Sequence, residues 1–500
     1  MTKLMRAAVT GALAVALLGT AATVPEAHAG DAPAAGASGR VDFGQRLQPI
    51  DGFGFSQAFQ RADIMHGARG LTPEHQREVL DLLLDRKSGA GLSILRLGIG
   101  SSSDEVYDHM KSIQPTDPGG PEATPRYEWD GDDGGQVWLA KEAKAYGVKR
   151  FYADAWSAPG YMKTNGTDAN GGTLKPEWRQ AYADYLVQYA KFYRQEGVRI
   201  TDLGFTNEPD LATSYASMQF TPEQAVETVK ALGPTVRRAG IDLVCCDAAG
   251  WDQQAELTAA IEADPQAAAY VGVHTGHPYV TPSDQPLPTD RRTWMSEWSP
   301  NGATWNEAWD DGSGYDGLAV AEAIHTTLAD ARASAYVYWF GASIGATRGL
   351  IQLDGADYHV SKRLWALAAY SRFIRPGAVR VAASSGAEGV KVTAFRNRDG
   401  ARVLEILNTG TDAVRADYAL TGGGAGGSAR GSVYRTDETH SLSRVGSAAV
   451  RDGRLGVELP ARSLTTVVLG VRVGHDGHVL GGELHGGQRR LELGRRGRHA

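Results

Sequence analysis

The sequence predicts an α/β chain: a (β/α)8 TIM barrel fused to a side β-sandwich made from an N-terminal strand and the C-terminal region. Three observations carry this. Eight short apolar runs alternate with helical periodicity between residues 49 and 375. Past Pro376 the texture changes to short alternating runs parted by glycine-rich turns. A further alternating run, 40–47, precedes the barrel and can join that second sheet. The length of 500 residues suits a large barrel with a smaller partner.

At the N-terminus, Lys3 and Arg6 precede an apolar stretch from Ala7 to Ala22, and Ala27-His28-Ala29 offers a small-x-small cleavage site. This pattern predicts a secretory signal peptide over 1–29 and an extracellular protein. Residues 30–39 read as a flexible lead-in, and 40–48 as the N-terminal strand of the sandwich. The barrel is expected over 49–375. Its strand candidates are 49–56, 93–100, 150–159, 201–209, 242–251, 270–279, 291–299 and 335–343. Strands buried on both faces read as continuous apolar runs, which these are. Between them, Val79, Leu80, Leu83 and Leu84 mark a helix over 73–85. Tyr182, Tyr185, Leu186, Tyr189 and Phe192 mark another over 178–196, stopped by Gly197. Thr221-Pro222 opens a third, with proline in its first turn. A doubly wound open sheet is the alternative arrangement of the same elements.

In the C-terminal region, 376–471, the runs 389–395, 402–407, 416–420, 431–434 and 463–471 read as strands of an all-β module. The Gly-, His- and Arg-rich tail, 472–500, carries no core pattern and is expected to be disordered. His475, His478 and His485 lack regular metal-ligand spacing.

Composition excludes several classes. The net charge is −7, against the basic face expected of a nucleic-acid binder. Past the leader no apolar stretch reaches the roughly 18 residues of a membrane span. Cys245 and Cys246 are adjacent on a predicted strand, where neighbouring side chains point to opposite faces, so two buried thiols are expected over a vicinal disulfide. Two cysteines make neither a disulfide framework nor a zinc site. His66, His109, His274 and His325 form no zinc motif, and no phosphate-loop spacing occurs. No metal or organic cofactor is expected, and a monomer is.

Chemistry concentrates at strand ends. Glu208, in Asn207-Glu208-Pro209, follows the fourth run; Glu297, in Glu297-Trp298, ends the seventh. In a barrel the tips of strands four and seven share one mouth, so two such carboxyl groups can approach to about 5–5.5 Å, the spacing of a retaining glycosidase. Glu208 would be the general acid/base, with a raised pKa, and Glu297 the ionised nucleophile. A lone Glu-Pro at a strand end could merely cap a helix; the pairing with Glu297 weighs against that. Arg96 lies inside an apolar strand, where a cation is costly unless paired. Its expected partner is the Glu297 carboxylate, and an ion pair elsewhere in the core is the alternative. Tyr279 can hydrogen-bond Glu297 or serve as core. Trp156, Trp298 and Trp339 sit at three strand ends, with Tyr161 just beyond, and suit stacking on sugar faces.

These residues resemble glycoside hydrolase family 30 over about 40–471. The resemblance rests on Gln48-Pro-Ile-Asp-Gly-Phe-Gly-Phe55, Thr206-Asn-Glu-Pro-Asp210, Gly276-His-Pro-Tyr279 and Met295-Ser-Glu-Trp298. Gly54-Phe-Ser-Gln-Ala-Phe-Gln-Arg61, Tyr152-Ala-Asp-Ala-Trp-Ser-Ala-Pro-Gly160 and Met162-Lys-Thr-Asn-Gly166 are similar to its xylanase subfamily, best known from fungi. The resemblance implies a barrel with a side sandwich that takes one strand from before the barrel. It implies Glu208 as acid/base, Glu297 as nucleophile, Asn207 on the sugar 2-hydroxyl, Arg96 and Tyr279 in support, and Trp156 and Trp339 at subsites. It implies that Arg61, and more weakly Arg348, grips a glucuronic acid branch. The expected activity is a secreted retaining endo-β-1,4-xylanase acting on xylan, chiefly glucuronoxylan. Alternatives are a β-1,6-glucanase, a β-1,6-galactanase, a glucosylceramidase-like hydrolase, an exo-acting xylobiohydrolase, or a non-enzymatic carbohydrate-binding protein.

Overall fold

The computed structural model describes residues 37–346, 348–423 and 429–470. The predicted leader, most of the lead-in, and the tail with its three histidines lie outside the described residues.

The strands in chain order are β1 Ala37–Pro49, β2 Gly52–Ser56, β3 Ile94–Ile99, β4 Arg150–Ala155, β5 Asp202–Gly204, β6 Asp242–Ala248, β7 Val271–Gly276, β8 Arg292–Trp298 and β9 Ala335–Ser343. Strands β2 to β9 pair in sequence order, each parallel to the next. Pairing of Gly52 with Ala335 closes the ring. All six residues of β3 and all nine of β9 are buried. That double burial is why eight strands could be read as apolar runs. The helices Pro73–Leu84, Arg179–Gln195 and Pro222–Arg238 lie where the periodicity put them. The last begins with a reciprocal capping box between Thr221 and Gln224.

Alternation along each strand sorts the lumen into layers. Ile94, Tyr152, Val244, Val273, Trp294, Ala335 and Val337 form one interior apolar cluster. Two residues further along their strands, on the same side, come Arg96, Asp154 and Ser296. The lumen is therefore apolar low down and ionic toward the C-terminal mouth.

The barrel sheet continues beyond β9 into a hairpin that sequence reading missed, β10 Gly349–Asp354 and β11 Asp357–Val360. The second domain comprises β1 with β12 Val379–Ser384, β13 Val390–Arg396, β14 Arg402–Asn408, β15 Val414–Thr421, β16 Ala429–Thr436, β17 Ser443–Arg451, β18 Arg454–Leu459 and β19 Ser463–Leu469. They pair in a closed circuit around their own core, which includes Val41, Phe43, Val381, Leu404, Tyr418 and Val467. β1 runs parallel to β15 and antiparallel to β12. It begins at Ala37 and ends at Pro49. Residues 37–39, expected in the lead-in, are strand, because they pair with Ala416, Asp417 and Tyr418.

One expectation is overturned. Cys245 and Cys246 form a vicinal disulfide. The ladder of β6 shifts register on both sides of the pair, so the regular alternation behind the thiol reading does not hold there.

Candidate active site

The ionic layer is organised around Arg96, which is fully buried. Its Nη1 donates to Glu297 Oε2. Its Nη2 donates to Asp154 Oδ2 at 2.7 Å and to Asn207 Oδ1 at 2.6 Å. Asp247 lies 3.6 Å away. The guanidinium also stacks over Trp156, 4.5 Å from the ring centroid. β5 contributes by what it lacks. A Cβ at Gly204 would sit 2.1 Å from Asp154 Oδ1, so only glycine leaves space for that carboxylate.

Glu208 stands past the tip of β5 with φ of 48°, a left-handed conformation rare outside glycine. Its N–H donates to the Asp247 carbonyl at 2.8 Å, which holds the turn and aims the side chain into the mouth. One carboxylate oxygen each of Glu208 and Glu297, and one ring nitrogen of His277, all lie within 4.8 Å of one another. Tyr279 donates its hydroxyl to Glu297 Oε1 at 3.0 Å. Glu208 accepts from the Tyr215 hydroxyl at 3.3 Å.

Between the two glutamates sits His277, fully buried. Its Nδ1 is 3.3 Å from Glu208 Oε1 and its Nε2 is 3.2 Å from Asp247 Oδ1. Burial opposes a charge on this ring. Glu297, Asp247 and Glu208 more than offset that, and its pKa is pushed up to about 10. The ring is thus an imidazolium with both N–H groups engaged. The three residues of this cluster have the spacing of a metal site, and each already has a hydrogen-bond partner within the protein: Arg96 and Tyr279 on Glu297, Tyr215 on Glu208, Asp247 on His277.

Asp247 resists burial with help from His277, Arg96 and Ser296, and is held at about 2. Burial pushes Asp154 well up, with Asp247 adding to the push. Burial also pushes Glu297 up; His277 and Arg96 pull it down, and Glu208 opposes them. Glu297 nevertheless meets two donors, Arg96 and Tyr279, and a carboxyl that only accepts is best served ionised. Arg96 and His277 are thus the two cations that face the carboxyl groups of Asp154, Asp247, Glu208 and Glu297 across this buried layer.

These shifts have a sign for stability. The raised pKa of His277 contributes stability fully present below its ordinary value of 6.5 and lost as pH rises through about 10. Glu297 and Asp154, also raised, act in the same direction. Asp247, lowered, contributes above 3.8 and loses that contribution toward about 2. The thermal midpoint should be highest in mild acid and fall between pH 6.5 and 10. In His277→Gln that fall should flatten; an equally steep fall in melting scans of the variant would contradict the assignment.

A cleft of about 490 Å³ opens over the glutamates, lined among others by Phe59, Arg61, Asp108, Trp156, Tyr215 and Trp339. Trp156 and Trp339 pack against each other, with centroids 5.7 Å apart, and Phe59 meets both edge-on. Trp156 is only 2% exposed, so it serves as floor and support for Arg96 more than as an open platform. Arg61 lines the wall but is not free: Nη1 donates to Asp108 and to the Phe59 carbonyl. Arg348 also lines the cleft, 3.3 Å from Asn301.

Two expected subsite residues lie elsewhere. Tyr161 bonds the Gln114 carbonyl and packs on Trp178, and Trp298 packs against the main core; neither lines the cleft. A position at a strand tip does not say on which side of the ring an aromatic falls. Asp154, Asp247, His277, Phe59, Tyr215 and Asp108 went unread. For Asp154 and Asp247 the signal was the one that singled out Arg96, a charge inside an apolar strand.

The model of the family described as O-glycosyl hydrolase family 30 matches residues 38–271. That of the glycosyl hydrolase family 30 beta sandwich domain matches 377–467. Among solved structures, the catalytic domain of GH30 xylanase C from Talaromyces cellulolyticus is 37% identical with a TM-score of 0.79, over 87% of this chain and 100% of that one. Glucuronoxylanase XynC from Bacillus subtilis is 28% identical over 67% of this chain and 77% of its own. Endo-1,6-beta-D-glucanase neg1 from Aspergillus fumigatus is 25% identical over 64% and 71%.

Proposed function

Because the chain belongs to glycoside hydrolase family 30, we propose that it is a secreted retaining endo-β-1,4-xylanase that cleaves xylan by double displacement. The observation that carries this is the pair of carboxylates within 4.8 Å, one of them bound by Arg96 and Tyr279. Inverting enzymes hold their carboxyls about 6.5–9.5 Å apart to admit a water between them; this pair leaves no such room. Glu297 attacks the anomeric carbon while Glu208 gives its proton to the leaving oxygen. Glu208 then takes a proton from the water that releases the sugar from Glu297. Arg96 donates to the Asn207 side-chain oxygen, which fixes the amide and leaves the Asn207 NH2 to donate to a substrate hydroxyl.

The xylan reading is supported by the two xylan-active relatives, and the glucanase relative keeps β-1,6-glucan as the competing substrate. Glucuronoxylan is the favoured xylan. The Arg61 Nε is buried without a hydrogen bond, and Asp108, its present partner, is 51% exposed at its side chain. A uronate branch would displace Asp108 and complete the fork of hydrogen bonds on Arg61.

The test is digestion of glucuronoxylan, arabinoxylan, linear xylooligosaccharides and β-1,6-glucan, with products resolved by mass and anomeric configuration. Xylooligosaccharides of mixed length, first formed as β-anomers, are expected. Cleavage of β-1,6-glucan alone would overturn the substrate, and α-anomers the stereochemistry. Arg61→Ala should slow glucuronoxylan cleavage about tenfold or more while sparing arabinoxylan. Equal losses on both would remove the branch-recognition claim.

A further inference from the structure

At the opposite end of the barrel, where the strands begin, two adjoining cavities of about 730 and 510 Å³ share Arg46, Gly377, Val379 and Arg398 in their walls. They run along the junction of barrel and sandwich. Nine lysines and arginines line them against a single carboxylate, Asp51. Asp51 is already taken: Arg292 and Trp294 bond it at 2.8 and 2.9 Å, and Arg150 lies 3.7 Å away. Arg46, Arg86, Lys149 and Arg398 are exposed and form no ion pair among the described residues. Arg398 lies across Gly377, whose φ is +87° and where a Cβ would collide with the guanidinium, so glycine there leaves room for this cation at the meeting point of the two cavities.

Crowding so many like charges is electrostatically uphill, and it occurs in a chain whose net charge is −7. Here they converge on a concavity. We infer that this trough binds an acidic polysaccharide, a polyuronate whose carboxylates meet the four unpaired cations. Guanidinium groups suit carboxylates because the two planar groups can share paired hydrogen bonds. No aromatic ring lines either cavity, so a ligand that relies on base stacking is poorly served. Barrel strands of this length put the trough roughly 20 Å from the catalytic mouth. The chain bound there is therefore not the segment being cleaved, and the trough anchors the enzyme on an acidic matrix. The inference is independent of which glycan enters the catalytic cleft.

Native gels cast with polygalacturonate test it on the full chain. Wild type should be retarded, with retardation fading as salt rises, and should pass unhindered through gels cast with neutral arabinoxylan at concentrations too low to occupy the catalytic cleft. The triple variant Arg86→Glu, Lys149→Glu, Arg398→Glu should bind polygalacturonate about tenfold or more weakly. Arg86→Lys with Arg398→Lys should retain most of the binding. Equal thermal midpoints show that the fold is intact. Retardation unchanged in the charge-reversed variant would overturn the site. Equally strong retardation by double-stranded DNA would overturn the acidic-glycan assignment in favour of an unselective polyanion surface.

Discussion

Glu297→Gln should lower xylan hydrolysis by about 10⁴-fold or more in a protein that still folds. The residue is 5% exposed, and its charge is opposed by burial and by Glu208 within 4.8 Å. Glutamine keeps the shape, can turn its amide oxygen to Arg96 and its NH2 to the Tyr279 oxygen, and removes a charge the interior resists. What it cannot do is form the glycosyl ester. Release of reducing ends against thermal melting separates the two effects: full activity in the variant would sink the nucleophile assignment. Glu208→Gln should leave a different trace. A substrate whose leaving group needs no proton can still load Glu297, so its loss should be much smaller than the loss on xylan. If both variants fall equally on such a substrate, the roles of acid and nucleophile are not divided as proposed.

Why these two residues were legible, and their neighbours less so, follows from burial. Parallel barrel strands are apolar on both faces, so an ionisable residue inside or at the end of one stands out. Glu208, Glu297 and Arg96 were read on that basis, and the structure gathers them with Asn207 and Tyr279 around one mouth. The same logic covers Asp154 and Asp247. His277 was seen only as part of a motif, because a histidine at a strand end carries no charge signature until its neighbours are known. Arg61 shows the limit from another side. Its position in the cleft was anticipated, but its pairing with Asp108, 47 residues away in another loop, has no mark in local sequence. In the sandwich, β12, β17 and β18 went unread. β17 is mostly exposed, with Ala448 and Val450 its buried positions, and so few apolar contacts leave little pattern to find. β18 alternates cleanly, but over only six residues.

Arg96→Met should cost about 3–5 kcal/mol of stability near neutral pH, the range for breaking a buried ion pair from one side. The guanidinium is wholly buried and bonds Glu297, Asp154 and Asn207, with Asp247 at 3.6 Å. Methionine replaces its bulk over Trp156 but none of its charge, so His277 is left as the only cation facing four carboxyl groups in this layer. Protonating those carboxyls relieves the imbalance, so the stability deficit should shrink in mild acid. Activity should move the other way. Glu297 loses a partner that holds its pKa down, and must shed its proton to attack. The acidic limb of the pH–rate profile should therefore shift to higher pH, toward the range where the variant is least stable. Arg96→Lys keeps the charge without the fork; it should recover the position of the limb more fully than the rate, because a point charge cannot orient Asn207 and Glu297 together. Denaturant unfolding at two pH values, with pH–rate profiles of both variants, measures each part. An unshifted limb in Arg96→Met would mean that Glu297 owes its ionisation to His277 and Tyr279 and not to Arg96.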